Sequence, residues 1–123
     1  MKRDMELIRE ILIAMEEHEH GYAPQAIDID GYTEDQIGYH IWLMGEKQAG
    51  LLKVSDASSM DMDSPDANPI SMLWEGYEFL EAARKPERWE AATDKVKKTG
   101  AAMTFEILKA VLMALSKEAL GLP

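Results

Sequence analysis

Apolar residues recur every three or four positions near the start of the chain, which is the spacing of an amphipathic helix. The stripe lies within residues 2–18 and consists of Met5, Ile8, Leu12 and Met15, widened by Leu7 and Ile11. Gly21, Pro24 and Gly31 then interrupt regular structure over residues 19–32. Between them the alternating residues 26–30 fit either a short strand or a single turn.

A second helix is predicted from Thr33, because Thr33 and Gln36 form a capping-box pattern in which each side chain satisfies a backbone N–H. The helix is expected to run to about Gln48 and to be capped by Ala49 and Gly50. Its spacing directs three apolar side chains inward, namely Ile37, Ile41 and Met44.

The second half of the chain predicts a hairpin followed by three helices. Two short strands, residues 51–55 and 70–73, flank an acidic loop rich in turn-forming residues. A helix over residues 74–84 has Tyr77, Leu80 and Ala83 on its inner face, and Pro86 separates it from a helix over residues 87–98 that Gly100 ends. The last predicted helix, residues 104–120, has one apolar stripe, made of Phe105, Leu108, Leu112, Leu115 and Ala119.

The order helix, irregular segment, helix, hairpin, helix is typical of a winged helix-turn-helix domain. We therefore expect a mainly α-helical fold with a small β-hairpin, which belongs to the α+β class. The winged-helix domain is expected to span residues 1–84. Residues 85–123 are expected to form a C-terminal helical extension that packs on it as one compact unit.

The charge of the chain is distributed unevenly. The net charge is −10 over 123 residues. Residues 1–82 hold 18 acidic and 5 basic side chains, a net −13, whereas residues 83–123 hold 5 acidic and 8 basic ones, a net +3. An acidic body opposes the phosphate contacts that dominate affinity for duplex DNA.

Cysteine is absent from the chain, which fits a reducing compartment and excludes thiolate chemistry. Residues 1–10 are too charged for the apolar core of a signal peptide, and no apolar run reaches the length of a membrane span. The sequence therefore predicts a cytoplasmic protein that does not bind membranes.

Several stretches resemble a bacterial and phage group, domain-of-unknown-function family 2513. They are residues 1–5, 7–8, 16–18, 21–22, 37–41, 49–52 and 73–80, and residues 105–122 look like the last helix of that family. Tyr77 and Leu73 depart from the pattern, in which His and Thr are expected. The resemblance implies a winged-helix fold and an association with bacterial genomes and prophages, and it supplies no activity and no catalytic residue.

No set of residues indicates catalysis. The cluster Glu16-Glu17-His18-Glu19-His20 offers metal-ligating groups, but a solvated helix end explains it better. The acidic hairpin loop lacks the glycine and the final glutamate of a calcium loop. His40 lies within a predicted helix without a serine partner and is interpreted as a structural residue. We therefore expect no enzyme activity, no catalytic residue, no cofactor and no metal.

The outward face of the second predicted helix is the candidate interaction face. It carries acidic, small and aromatic residues, where a DNA-reading helix offers Arg, Lys, Asn or Gln. An exposed tryptophan suits a protein contact, while the alternative is that Trp42 packs against the hairpin or the final helix. The predicted face consists of Glu34, Asp35, Gly38, Tyr39, Trp42 and Glu46.

These observations favour a non-enzymatic winged-helix interaction module of bacterial or prophage origin, which acts in regulation through a protein partner. The alternatives are a DNA-binding transcriptional regulator and an acidic mimic of nucleic acid. If DNA is bound, the expected contacts are Lys47, Lys53, Lys95, Lys97 and Lys98.

The final predicted helix is apolar on more than one side, which favours a homodimer. Its predicted dimer face consists of Ile107, Val111 and Ala114. The alternative is a helix buried inside a monomer.

Overall fold

In a computed structural model, which describes all 123 residues, the first helix α1 spans Met5–Glu17. It begins there because the Asp4 side chain accepts hydrogen bonds from the backbone N–H groups of Glu6 and Leu7, which a helix start leaves without partners. The predicted apolar stripe is confirmed. All six of its members are buried: Met5, Leu7, Ile8, Ile11, Leu12 and Met15.

The irregular segment after α1 makes one contact with the hairpin and then a turn. Tyr22 forms an isolated antiparallel bridge with Ser71, and the N–H of Ala23 donates to the carbonyl of Ile70 at 2.8 Å. Residues 26–30 form no strand. The N–H of Tyr32 donates to the carbonyl of Ile29 at 3.2 Å, and Gly31 has a φ of 89°, which suits glycine at this point of a turn.

Helix α2 spans Glu34–Met44, and the predicted capping box of Thr33 and Gln36 is present. The predicted end of this helix is wrong, because α2 stops at Met44 and Gly45 caps it. The carbonyl of Gly45 accepts from the N–H groups of Gln48 and Gly50, so the backbone turns there and returns towards the hairpin. The sequence pattern missed this end because residues 46–48 have good helix propensity.

The hairpin consists of strands β1, Leu52–Asp56, and β2, Ala67–Met72, which pair antiparallel with Leu52 opposite Met72. The ladder is irregular between Lys53 and Val54, where Pro69 lies opposite Val54 and has no N–H to donate. Both predicted strands are confirmed with shifted bounds. Residues 57–66 form the hairpin loop.

Three further helices follow, α3 at Trp74–Ala83, α4 at Pro86–Thr99 and α5 at Phe105–Ala119. The predicted helices are confirmed, as is the end of α4 at Gly100, which has a φ of 72°. Tyr77 was expected on the inner face of α3 and is 40% exposed. The predicted inner stripe of α5 is only partly buried, because Leu108 and Leu112 are fully enclosed and Ala119 is exposed.

The chain divides into two compact units, Met1–Tyr77 and Glu78–Pro123. In the first unit, fully buried side chains from α1 and α2 and from the start of the hairpin form the core, among them Leu7, Leu12, Met44 and Leu52. In the second unit the core is built around Phe79, whose ring lies 6.4 Å from that of Trp89 and 4.8 Å from that of Phe105.

Five helices and one two-stranded antiparallel hairpin confirm the predicted mainly helical α+β class. The winged-helix interpretation and the packing of residues 85–123 on the preceding domain stay predictions. None of the helices combines the length and the apolar character needed to cross a membrane.

Candidate interaction surface

Two aromatic rings lie together on α2. Tyr39 and Trp42 are three residues apart and therefore share one side of the helix. Their ring centroids are 6.0 Å apart and their planes differ by 17°, so the rings are stacked. Both side chains are half-buried, which leaves part of each ring in contact with solvent.

The indole of Trp42 lies beside the hairpin. Its side chain is close enough to the carboxylate of Asp56, the last residue of β1, to lower the pKa of that carboxyl group. The same carboxylate accepts the N–H of Ser58 at 2.8 Å. The hydrogen bonds from Ser58, with a smaller contribution from the Trp42 side chain, lower the pKa of Asp56. Trp42 thus packs against the hairpin, as one of the two sequence-based alternatives stated, and still presents ring surface to solvent.

A second carboxylate, that of Glu46, is fixed beside the hairpin. Its Oε2 accepts the N–H of Val54 on β1 at 3.0 Å. Hydrogen bonds from the backbone N–H groups of Glu46 itself and of Val54 lower the pKa of Glu46, and the charges of Lys53 and Lys47 act in the same direction. Glu46 therefore presents an ionised carboxylate at neutral pH.

We use the name α2–hairpin surface for Asp35, Tyr39, Trp42, Glu46 and Asp56. Of the predicted interaction face, Glu34, Asp35 and Glu46 are exposed and Tyr39 and Trp42 are half-buried. Gly38 was expected on this face and is buried. A β-carbon at Gly38 would overlap the carboxylate of Asp66, so this position lies against the hairpin loop and not in solvent.

Asp56 was not predicted as part of the site. It lies fourteen positions after Trp42 in the sequence, so no helical spacing connects them. Its place beside Trp42 depends on how the hairpin folds back on α2. An acidic residue at the end of a predicted strand is the only sequence signal for it, and such a residue is common.

The five lysines predicted to contact DNA are all exposed. Lys47 and Lys53 belong to the first unit, and the positive charge of each lowers the pKa of Glu46. A DNA phosphate bound at either lysine would therefore also be repelled by the carboxylate of Glu46. The other three, Lys95, Lys97 and Lys98, lie on α4 in the second unit.

His40 is 1% exposed and both of its ring nitrogens are occupied. Nε2 lies 2.8 Å from the backbone nitrogen of Asp4, and Nδ1 lies 2.7 Å from the carbonyl oxygen of Gln36. A carbonyl only accepts and an N–H only donates, so Nδ1 carries the proton and Nε2 accepts. His40 therefore joins the start of α1 to α2 as a neutral imidazole.

A comparison with protein-family models finds a match over residues 2–102 to the family described as "Hypothetical protein (DUF2513)". The chain belongs to this family. No curated protein and no solved structure matches the chain. The match ends before α5, and the family description supplies no activity.

Four of the stretches that resemble DUF2513 serve the fold of the first unit. Asp4, in the stretch over residues 1–5, caps α1 and donates to His40, in the stretch over residues 37–41. Gly76, in the stretch over residues 73–80, approaches the carbonyl of Leu51, which belongs to a fourth such stretch. These positions therefore have structural roles in this DUF2513 chain.

The two histidines of the DUF2513 chain that directly follow α1, His18 and His20, are exposed. The rings of His18 and His20 meet edge to face at 6.2 Å, and Nε2 of His20 lies 3.1 Å from Oε1 of Glu19. The structure contains no group of three or more His, Asp or Glu side chains arranged to hold a metal ion.

The structure also contains an acidic groove that the sequence patterns did not predict. A cavity of about 520 Å³ runs along α1 beside residues 28–32. Five carboxylates line it together with a few apolar side chains, and they belong to Glu6, Glu10, Glu17, Asp28 and Asp30. The groove adds to the negative potential of the first unit.

Proposed function

We propose that this protein is a non-enzymatic, winged-helix interaction module that acts in regulation by binding a protein partner, and that the α2–hairpin surface is its docking site. The observation that carries the proposal is the stacked pair of Tyr39 and Trp42, beside the carboxylate of Asp56. Aromatic side chains of this kind often dominate the binding energy of a protein interface.

Pre-organisation supports this assignment. Trp42 is stacked on Tyr39 and half-buried, so little side-chain freedom remains to be lost when a partner binds. Ordering a free side chain costs on the order of 0.5–1.5 kcal/mol in a typical interface. A fixed aromatic pair avoids most of that cost.

The charges around the pair indicate the chemistry of the partner. Glu46 and Asp56 have lowered pKa values and are ionised at neutral pH, and Asp35 is exposed on the same helix. A guanidinium group stacks on aromatic faces and pairs with carboxylates, which an ammonium group does less well. We therefore expect the partner to present arginine next to an apolar side chain.

The charge of the first unit supports the same partner chemistry. Residues 1–77 carry 16 acidic and 5 basic side chains, a net −11. A surface of one sign speeds the encounter with a partner of opposite sign and repels nucleic acid. This charge favours a cationic protein surface over a duplex.

The position of His40 supports the non-enzymatic part of the proposal. Proton transfer by an imidazole needs a ring nitrogen within reach of a substrate. In His40 both nitrogens are bonded to the backbone and the side chain is 1% exposed.

A peptide-display selection against the folded chain tests the docking site. Random peptides are selected on the wild-type protein, and the affinity of an enriched peptide is then measured for single variants. We expect enriched peptides to combine arginine with an apolar residue. Trp42→Ala should weaken their binding by about 2 kcal/mol or more, roughly a 30-fold loss of affinity.

Two matched variants control this experiment. Trp74→Ala removes the other exposed tryptophan, which is 75% exposed, and should leave the affinity unchanged. Trp42→Phe keeps an aromatic ring beside Tyr39 but loses the larger indole and its N–H, so it should lose part of the affinity. The proposal would be contradicted if the enriched peptides shared only positive charge and bound Trp42→Ala as tightly as the wild-type protein. That result would favour the nucleic-acid mimic.

A further inference from the structure

Helix α5 presents a stripe of four exposed residues on its outer side. Glu106, Ala110, Met113 and Lys117 follow one another at steps of four, three and four, which places them along one face of a helix. The buried residues Leu108 and Leu112 face the other way. The stripe has an acidic start, an apolar middle and a basic end, and we call it the α5 stripe.

An apolar groove lies beside the α5 stripe. Its volume is about 400 Å³, and Ala110, Met113, Ala114 and Leu122 supply most of the apolar lining. Met113 is 43% exposed and Leu122 is 56% exposed. Exposed apolar surface next to small residues allows another helix to approach closely.

We propose that the α5 stripe pairs with the same stripe of a second copy of this chain, antiparallel about a two-fold axis. The steps of four, three and four read the same in both directions, so the stripe is self-complementary in this orientation. With Glu106 opposite Lys117 of the second copy, Ala110 lies opposite Met113, and the symmetry repeats both pairs. Opposite charges then meet at each end, and the small Ala110 leaves room for the long Met113 side chain in the middle.

A parallel arrangement lacks this complementarity, because it places Glu106 opposite Glu106 and Lys117 opposite Lys117. Like charges in direct opposition are unfavourable. A two-fold contact, in which both copies use the same patch, is also the commonest form of dimer. The charge pattern of α5 therefore selects the antiparallel pair.

This interface differs from the face predicted from the sequence. Ile107 is 38% exposed and Ala114 is exposed, so both lie at the edge of the α5 stripe. Val111 is half-buried and points away from the middle of the stripe. The sequence pattern showed an apolar excess on α5 but did not identify which side remains exposed.

The proposed contact is small. At 1.5 Å per residue the 15 residues of α5 are about 22 Å long. Stable interfaces bury about 800 Å² on each partner, and one helix of this length covers less. We therefore expect a weak dimer, with a dissociation constant in the micromolar range.

Sedimentation velocity over a wide concentration range, with charge reversals, tests the pairing. The wild-type protein should shift from its 13.8 kDa monomer towards twice that mass as concentration rises. Glu106→Lys and Lys117→Glu each create two like-charge contacts, because symmetry repeats the pair, and each should weaken the dimer about tenfold. The double variant restores opposite charges and should return to within about threefold of the wild-type affinity.

The double variant separates pairing from helix stability. Both reversals oppose the dipole of α5, so an effect through helix stability would be largest in the double variant. Lys95→Glu, on the exposed side of α4, is the matched control and should leave the dimer unchanged. A monomer at every concentration, or a double variant weaker than either single variant, would overturn the proposal.

Discussion

Asp4 illustrates how one residue connects separate parts of the first unit. Its Oδ1 caps α1, its Oδ2 accepts the hydroxyl of Tyr32 at 3.0 Å, and its backbone N–H donates to His40. Asp4, Tyr32 and His40 come from three separate segments of the chain. Changes at Tyr32 and His40 test these contacts individually.

The titration of Tyr32 reports its contact with Asp4. Burial, the hydrogen bond to Asp4 and the nearby carboxylates raise its pKa to about 12. The folded state thus favours the neutral phenol over the phenolate. The contribution of neutral Tyr32 to the free energy of unfolding is complete below pH 10 and is lost as the pH rises towards 12. Absorbance titration of tyrosinate should show one late step, which Tyr32→Phe removes and Tyr22→Phe retains. A late step that persists in Tyr32→Phe would refute the assignment.

His40→Phe tests the structural role of the imidazole. Phenylalanine has a similar shape but leaves the N–H of Asp4 without its partner and removes the additional bond to the carbonyl of Gln36, which keeps its helical bond. We expect a loss of about 2–4 kcal/mol in the free energy of unfolding, measured with urea. His40→Gln offers one donor and one acceptor and should lose less. Equal stability of His40→Phe and the wild-type protein would show that neither hydrogen bond matters.

At the scale of elements, the approach of α3 to the hairpin depends on Gly76. A β-carbon there would overlap the carbonyl oxygen of Leu51 and would lie 2.6 Å from Cγ of Met72. Backbone cannot move aside as easily as a flexible side chain can. Gly76→Ala should therefore destabilise the protein by about 1–3 kcal/mol, although alanine is the better helix former.

Glu78→Ala is the control for this prediction, because it lies in α3 and is exposed. It should change the free energy of unfolding by less than about 0.5 kcal/mol. Thermal or urea unfolding of both variants gives the comparison. A Gly76→Ala protein that is more stable than the wild type would contradict the close approach.

Local patterns predict the starts of helices well in this chain. Thr33 with Gln36 and the apolar spacing of α1 are short-range signals, and both agree with the structure. The end of α2 at Met44 depends on the return of the chain to β1, and the burial of Gly38 depends on Asp66 in the hairpin. Those contacts join distant positions, so spacing along the sequence does not contain them.

For the candidate site as well, the sequence predicted the residues within one helix and missed the contacts between distant positions. Tyr39 and Trp42 follow from helical spacing, whereas Asp56 and the hydrogen bond of Glu46 to Val54 require the hairpin to be placed. The exposed side of α5 likewise required the packing of the second unit, because apolar residues occur on more than one side of that helix.

At the scale of the whole molecule, charge opposes duplex binding. The net charge is −10, and the exposed face of α2 lacks base-reading side chains. Fluorescence anisotropy with random duplex DNA at low salt should show weak binding at most, without sequence preference. Nanomolar binding to one site would refute this prediction. In that event, charge reversal at Lys47 or Lys53 should reduce the slope of the logarithm of the binding constant against the logarithm of salt concentration by about 1 for each residue.

The most direct test of the proposed docking site is an NMR titration of the indole N–H signals with a selected arginine-containing peptide. The chain has three tryptophans, so three indole signals are expected. Trp42 lies in the α2–hairpin surface, Trp74 is 75% exposed outside it, and Trp89 is buried in the second unit. We predict that the Trp42 signal shifts with the peptide while the other two stay in place. A shift of Trp74 with no change at Trp42 would contradict the proposed docking site.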